Sequence, residues 1–525
     1  MDDATHDDRP GTGAQTLLET LVQAGVDTCF GNPGTSEVHF VHGLDAVPAM
    51  RCVLALAENV ATGAADGYAR MTGRTAATLL HCGPGLANGL ANLHNASKAR
   101  SPILNIVGDQ AQFHAPFDPP LASDTVAIAR TVSAWTRRCT SSLSVGPDAA
   151  AAVEQTRAGG GASATLILPA DVGWGPGGPP CAVSPPSPPL RVDEAEIAAV
   201  RRQLGSGRRT ALVLGDDALG EAALRAAQAL GERTGARVLV HSFIRRMARG
   251  GGLPPIERVP YAPDAARAVF SGVEAVVLVG AARPVFAFAG PDGESGPAPA
   301  DTRFLTLGAP GQDLGDALRR LCDSMGCAAS PANAFGRVAS PGEAATGAVS
   351  AEAFGQSLAA LLPEGAIVAD EGVSFGRSAF AATGRTRRHD WMQLTGGAIG
   401  CGMPLAIGAA IAAPARQVVT LQADGSGMFS VQALWTQARE RLNIITVVFS
   451  NRRYEVLFGE TRRMGLTPGA SAQRLFSLDD PPIDWVKIAN GLGVEAAVAA
   501  SMEDFNTLFA HALARPGPFL IELSL

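Results

Sequence analysis

Two oxygen-bearing side chains, Asp424 and Asn451, close two apolar runs in residues 417–454, QVVTLQADGSGMFSVQALWTQARERLNIITVVFSNRRY. The first run, Val418 to Leu421, leads into Ala423-Asp424-Gly425-Ser426. The second, Ile444 to Phe449, leads into Ser450-Asn451, with about 14 residues of helical pattern in between. This is the pattern of a βαβ unit, in which parallel strands finish at one sheet edge. Asp424 and Asn451 are therefore expected side by side where open α/β sheets bind ligands. One carboxylate and one amide oxygen are too few for calcium. They suit Mg2+, which completes its octahedron with phosphate oxygens and water. Gly425 and Ser426 open a helix whose positive N-terminal end favours the same anion.

Other residues with chemical potential lie far away in the chain. Glu58 follows the apolar run Cys52–Leu56 and opens the Ala/Gly-rich helical stretch ENVATGAADGYAR. By position alone it is a partner for the helix dipole. His81 stands at a strand end before a glycine loop, LLHCGPGLAN, and His114 lies in the loop after the next apolar strand, Ile103 to Val107. The run Ala366–Asp370 ends in Glu371-Gly372-Val373-Ser374, a loop that can offer N–H groups and a hydroxyl to a diphosphate. Ile399 sits among glycines in TGGAIGCGMP, residues 395–404.

In three places the sequence resembles the thiamine-diphosphate enzymes. Asp-Gly-Ser with an Asn 27 positions beyond its Asp resembles their diphosphate-anchoring motif, with Ala423 and Ser450 in place of its first Gly and first Asn. GNPGTSE and LALAENVATGAADGYAR are similar to their pyrimidine-binding domain, and residues 395–404 to their Gly-Gly-x-x-Gly turn. The resemblance implies an α/β fold of three doubly wound parallel-sheet domains: pyrimidine-binding at 11–175, middle at 190–322 and diphosphate-binding at 350–525. It also implies thiamine diphosphate and Mg2+ as cofactors. Glu58 would hydrogen-bond the pyrimidine ring, Gly397 would offer its carbonyl to the amino group, and Ile399 would bend the cofactor. Ser374, Gly425 and Ser426 would meet the diphosphate. Asp424, Asn451 and the carbonyl of Arg453 would hold the metal, with Tyr454 and Leu457 near the pocket. A homodimer or homotetramer is implied, because one subunit's pyrimidine domain faces another's diphosphate domain in this family.

His81 marks a branch point within the family. Acetohydroxyacid synthases usually carry Thr-Ser-Gly-Pro-Gly here, whereas benzoylformate decarboxylase has His at the first position. The middle segment, GAARPVFAFAGPDG at 280–293, lacks both the Arg-Phe-Asp-Asp-Arg stretch of FAD-binding synthases and a second histidine near Ala289, so a middle domain without FAD is expected. The expected reaction is cleavage of a 2-oxo acid with CO2 release, His81 and His114 being acid/base candidates beside Glu58. The alternatives are an acetolactate-synthase-like carboligase using an acceptor aldehyde or ketone, and a cofactor-binding homologue without turnover. A metal-dependent hydrolase using Asp424 would lack a second acidic ligand.

Composition agrees with large α/β cores. Of 525 residues 46% are hydrophobic and 17% charged, with 60 Gly, and a net charge of −7 offers no basic footprint for nucleic acid. The eight cysteines show no CxxC pairs and read as reduced. No apolar run reaches the roughly 18–20 residues of a membrane span and no signal-peptide order is seen, so a cytoplasmic protein is expected. Met1–Pro10 reads as a disordered lead-in, while 173–189 and 322–350 read as Pro/Gly-rich linkers. The stretch after Asn451 has no clear periodicity and is expected to be a lid loop.

Overall fold

The computed structural model describes residues 11–290, 293–327 and 342–525, so the lead-in and part of the second linker lie outside the described residues. The chain divides into two compact units, Met1–Ser187 and Pro188–Leu525. The first is built on β1 (Thr28–Asn32), β2 (Arg51–Leu54), β3 (Ala76–Leu80), β4 (Ile103–Asp109), β5 (Trp135–Arg138) and β6 (Ser163–Pro169). These form one parallel sheet in the order β2-β1-β3-β4-β6-β5. Every residue of β3, β4 and β6 is buried, as continuous apolar runs must be in a parallel sheet covered on both faces. The edge strand β5, WTRR, has three polar residues of four and no apolar alternation for a sequence reading to find.

Small residues set the spacing of the covering layer. The helices Glu58–Thr72 and Cys82–Lys98 approach so closely that a Cβ on Gly89 would lie 2.9 Å from Thr62 Cγ2, and the Thr62 hydroxyl donates to the Gly89 carbonyl at 3.1 Å. The expected strand Cys52–Leu56 ends earlier, at Leu54, and Glu58 is the first residue of its helix.

In chain order the second unit contributes β7 (Thr210–Leu214), β8 (Arg237–Val240), β9 (Met247–Arg249), β10 (Glu257–Arg258), β11 (Ala275–Val279), β12 (Arg303–Thr306), β13 (Ala366–Glu371), β14 (His389–Gln393), β15 (Val418–Ala423), β16 (Ile444–Ser450), β17 (Glu495–Ala499) and β18 (Phe519–Ser524). One parallel sheet runs β10-β8-β7-β11-β12, and a seven-stranded sheet runs β17-β18-β16-β15-β13-β14-β9. The fold is thus α/β with three mainly parallel sheets. The short β9 leaves the neighbourhood of its own sheet and pairs antiparallel with β14, so middle-segment residues such as Met247 share a hydrophobic core with Phe354, Trp391 and Phe505.

Two local expectations are corrected. The helical stretch between β15 and β16 is not one helix but Asp424–Gly427, a 3-10 turn Met428–Ser430 and Ala433–Arg439. Two glycines, at 425 and 427, weaken the first turn. The stretch after Asn451 is not a loop: it forms the helices Glu455–Arg463 and Ala470–Phe476, with no buried residue in either. Neither has a core to face. Among the described residues no helix is long and apolar enough to cross a membrane.

Candidate functional site

Both places singled out in the sequence lie at carboxyl edges of parallel sheets. In the first unit, β1 and β3 are neighbours, with Asn32 in register with Leu80. Asn32 therefore ends β1 beside His81, the residue after β3. Glu58 is buried, 7% exposed, and its two carboxyl oxygens accept from different amides: Oε1 from Asn32 Nδ2 at 3.4 Å and Oε2 from Asn88 Nδ2 at 3.2 Å. A Cβ on Gly85 would lie 3.1 Å from Glu58 Oε1 and 3.3 Å from His81 Cβ. The glycine in the HCGPG loop is what lets these two groups share one place.

His81 is not a free loop histidine. Its Nδ1 lies 2.9 Å from Glu37 Oε2 and 3.0 Å from Ser36 Oγ, with Glu37 buried and the imidazole partly open. Glu37 is fixed further by the Gly34 N–H, which donates to Oε2 at 2.7 Å, and by the Ser36 hydroxyl, which donates to Oε1. Two glycines make room for the pair. A Cβ on Gly34 would collide with the His81 ring at 2.4 Å, and one on Gly108, in β4, would overlap Glu37 Oε1. Cys82 Sγ lies 3.2 Å from Ser36 Oγ, and burial, aided by the charges of Glu37 and Asp109, pushes its thiol up to about 11. It stays a protonated thiol at neutral pH.

Glu37 lies in GNPGTSE, where the sequence alone assigns it no role. Its local signal is weak: a Glu three residues after Gly34 reads as half of a helix capping box, and its histidine partner is 44 residues away. His114 is exposed on the loop after β4, its ring centroid 6.3 Å from that of Phe117. β3 and β4 are parallel neighbours, so His81 and His114 leave the sheet at the same edge.

In the seven-stranded sheet, Ala423 at the end of β15 is in register with Phe449 of β16, which places Asp424 and Asn451 at adjacent strand ends as the spacing requires. Asp424 is 3% exposed; its Oδ1 accepts from the Gly425 N–H at 2.7 Å and its Oδ2 from the Arg452 N–H at 2.6 Å. Burial raises its pKa, and the backbone donors from Gly425, Arg452 and Asn451 offset only part of that. Asn451 Oδ1 accepts from the Arg453 N–H at 3.0 Å, and the Arg453 carbonyl accepts from the Glu455 N–H at 3.1 Å. Ser426 is committed to its own turn, accepting from Gln422 Nε2 at 2.6 Å and donating to the Ala423 carbonyl at 3.2 Å. Its contribution to an anion is thus its backbone N–H. A Cβ on Gly425 would meet the Tyr454 ring at 2.5 Å, so Tyr454 closes over this turn, whereas Leu457 is exposed.

Glu371, at the end of β13, received no role from the sequence. It is fully buried and its two oxygens accept from the N–H groups of Gly400 and Gly402, each at 2.5 Å. One carboxylate thus pins the glycine turn that carries Gly397 and Ile399. Gly397 has φ +84° with open space where a side chain would be, and Gly400 has φ +95° with the Phe429 Cβ 2.7 Å from its would-be Cβ. Ile399 and Ser374 are half-buried. Val373, beside Ser374, holds φ +45°, a conformation that costs a β-branched residue about 1–3 kcal/mol and that clusters at functional loops.

Hard oxygen donors at Asp424, Asn451 and Arg453 fit a small divalent cation. Residues 11–123 match the family model "Thiamine pyrophosphate enzyme, N-terminal TPP binding domain" and residues 375–523 match its C-terminal counterpart. A Mycobacterium tuberculosis protein named "Putative acetolactate synthase large subunit IlvX" is 46% identical over 97% of this chain and 98% of its own length. The benzoylformate decarboxylase of Pseudomonas aeruginosa is 29% identical, covering 96% of this chain and 97% of its own. In fold, a thiamine diphosphate-dependent 4-hydroxybenzoylformate decarboxylase of Rhodococcus jostii RHA1 superposes with a TM-score of 0.82 at 24% identity, covering 97% of this chain and 98% of that one.

Proposed function

Because the chain belongs to the thiamine pyrophosphate enzymes, we propose that it cleaves a small 2-oxo acid with release of CO2, in the manner of a benzoylformate decarboxylase. The observation that carries this reading is the His81–Glu37 pair at 2.9 Å, which adjoins Glu58 across Gly85. An ionised Glu37 accepts the Nδ1 proton and thereby fixes the tautomer, so that Nε2 is the nitrogen free to take up or deliver a proton. His114, on the neighbouring loop, is the second candidate for that duty.

Bound thiamine diphosphate supplies the carbon nucleophile and the electron sink for decarboxylation. The chain's own residues hold and orient. Glu58, aimed by Asn32 and Asn88, would hydrogen-bond the pyrimidine ring nitrogen, and the Gly397 carbonyl would take its amino group, with Ile399 against the bend. Asp424, Asn451 and the Arg453 carbonyl would ligate Mg2+, while the N–H groups of Gly425 and Ser426 and the loop at Ser374 would meet the diphosphate. In the family arrangement Glu58 and Asp424 of one chain serve different sites, which makes the enzyme at least a dimer. Light scattering of the cofactor-loaded protein checks that assembly.

The 46% identity to a protein named as an acetolactate synthase favours a second reading, capture of the decarboxylated fragment by an acceptor carbonyl. Incubation with ThDP, Mg2+ and a panel of 2-oxo acids, with and without acceptor aldehydes, separates the two when products are identified by mass. Under the decarboxylase reading His81→Ala lowers aldehyde release by roughly 10²–10⁴-fold, the usual worth of a placed acid/base. Acetolactate from pyruvate as sole product, with His81→Ala as active as the parent, would overturn that reading and leave the carboligase.

A further inference from the structure

The helix Leu314–Ser324 ends in a hydrogen-bond pattern that brings two distant thiols together. The Cys327 N–H donates to the Cys322 carbonyl at 3.1 Å and the Gly326 N–H to the Asp323 carbonyl at 3.1 Å, with Gly326 left-handed at φ +66°. This paired closure is a Schellman motif, in which the side chains three residues before the cap and two after it face each other. Those positions are usually filled by aliphatic residues. Here the sequence CDSMGC puts cysteine at both, and the sulfurs are in contact at 2.6 Å. Each thiol also lies against the other's carbonyl, Cys322 Sγ at 3.0 Å from the Cys327 oxygen and Cys327 Sγ at 3.1 Å from the Cys322 oxygen. Cys322 is 2% exposed, within the core of the second unit, and Cys327 is half-buried at its margin.

We propose that Cys322 and Cys327 are a thiol pair placed to form a reversible intrachain disulfide by exchange with a small disulfide of the glutathione type. The helix terminus holds the two sulfurs in contact before any reaction, so ring closure costs little further ordering. Burial pushes the Cys322 thiol up to about 12, which leaves the more accessible Cys327 as the entry point. Its thiolate attacks one sulfur of oxidised glutathione and expels one glutathione thiolate. Cys322 then gives up its proton to solvent and displaces the second glutathione, closing the bond. Two cysteine thiols are oxidised, one disulfide is reduced, and two glutathiones leave. The pair is independent of the 2-oxo acid chemistry.

The test uses the full chain in glutathione redox buffers, quenched in acid, alkylated and digested with trypsin. The peptide from Leu321 to Arg337 carries both cysteines and no other, so the remaining six do not confound the reading. The expected result is this peptide lacking two hydrogens, with an oxidation constant in the native protein at least about tenfold above that in 8 M urea, because the helix end presents the sulfurs to each other. Cys322→Ser is expected to trap a single glutathione on Cys327. If that variant does not fold, the native-against-urea comparison on the parent decides alone. A native constant no higher than the urea value, or a peptide carrying two separate glutathiones, would overturn the assignment.

Discussion

At the edge of the six-stranded sheet side chains are the main partners of the buried carboxylates: Glu58 is met by the amides of Asn32 and Asn88, and Glu37 by the His81 ring and the Ser36 hydroxyl beside one backbone donor, the Gly34 N–H. At the edge of the seven-stranded sheet they are met by the main chain: Glu371 by the N–H groups of Gly400 and Gly402, Asp424 by those of Gly425 and Arg452. The difference matters chemically. An imidazole can change its charge and an amide side chain can turn, so the first edge can move protons. A backbone N–H does neither, so the second edge fixes loops and holds charge. The proposed division of labour, proton handling in the first unit and anchoring in the second, follows from the partners rather than from the carboxylates themselves.

Four measurements test that contrast. The largest effect is expected at Glu58, where Glu58→Gln keeps the shape and removes the proton-holding group. Turnover with saturating ThDP should fall by roughly 10²–10⁴-fold, while the urea midpoint changes little. A variant with parental kcat would mean that the amide-held carboxylate is structural. Next is Glu371→Ala, which leaves two buried N–H groups without an acceptor. At about 1–3 kcal/mol for each unsatisfied group, unfolding in urea should show a loss of roughly 2–6 kcal/mol, whether or not cofactor is present. Unchanged stability would show that the glycine turn does not depend on its carboxylate.

Glu37→Gln should have a smaller and different effect, since it weakens the hold on the His81 tautomer without removing the ring. A loss of about 10–100-fold is typical when a group that orients a functional histidine is removed. It should appear in kcat and move the pH profile of kcat/KM, a signature that a packing defect does not give. A pH profile superimposable on the parent's would remove Glu37 from the proposed proton path.

The two edges were not equally legible in the sequence. Asp424 and Asn451 could be read because apolar runs mark β15 and β16, and parallel pairing then fixes which residues meet. Glu37 and Glu371 could not, because each acts on a segment far away in the chain through contacts that no periodicity records. The same holds for Val373 at φ +45°, Cys82 at φ +52° and Arg452 at φ +56°, non-glycine residues whose backbone strain no composition rule reveals. β9 joins the wrong neighbour for any reading that keeps domains separate, since three residues of pairing to β14 leave no sequence pattern. The helices after Asn451, in which no residue is buried, escaped because no core fixes which of their faces must be apolar.

The smallest expected effect tests the charge-holding half of the contrast at Asp424. Burial raises its pKa in the free protein, so the proton and a divalent cation compete for the same carboxylate over a pH range displaced upward from the ordinary aspartate range. The sign follows from linkage. A raised folded-state pKa favours folding below the unfolded pKa, and that contribution is lost as pH rises through the folded pKa, where a buried anion must be carried unneutralised. Mg2+ supplies the neutralisation, so its benefit should grow as pH rises. Below the folded pKa of Asp424 apparent Mg2+ affinity, measured by calorimetry with ThDP present, should fall by up to about tenfold for each pH unit, one proton being displaced for each cation bound. Heats measured in two buffers of different ionisation enthalpy should reveal that proton, and Asp424→Ala should abolish it along with tight cofactor binding. Mg2+ affinity independent of pH, with no proton released, would mean that the backbone donors already keep Asp424 ionised. Parental Mg2+ affinity in Asp424→Ala would mean that the carboxylate serves the turn at Gly425 and Arg452 rather than a metal.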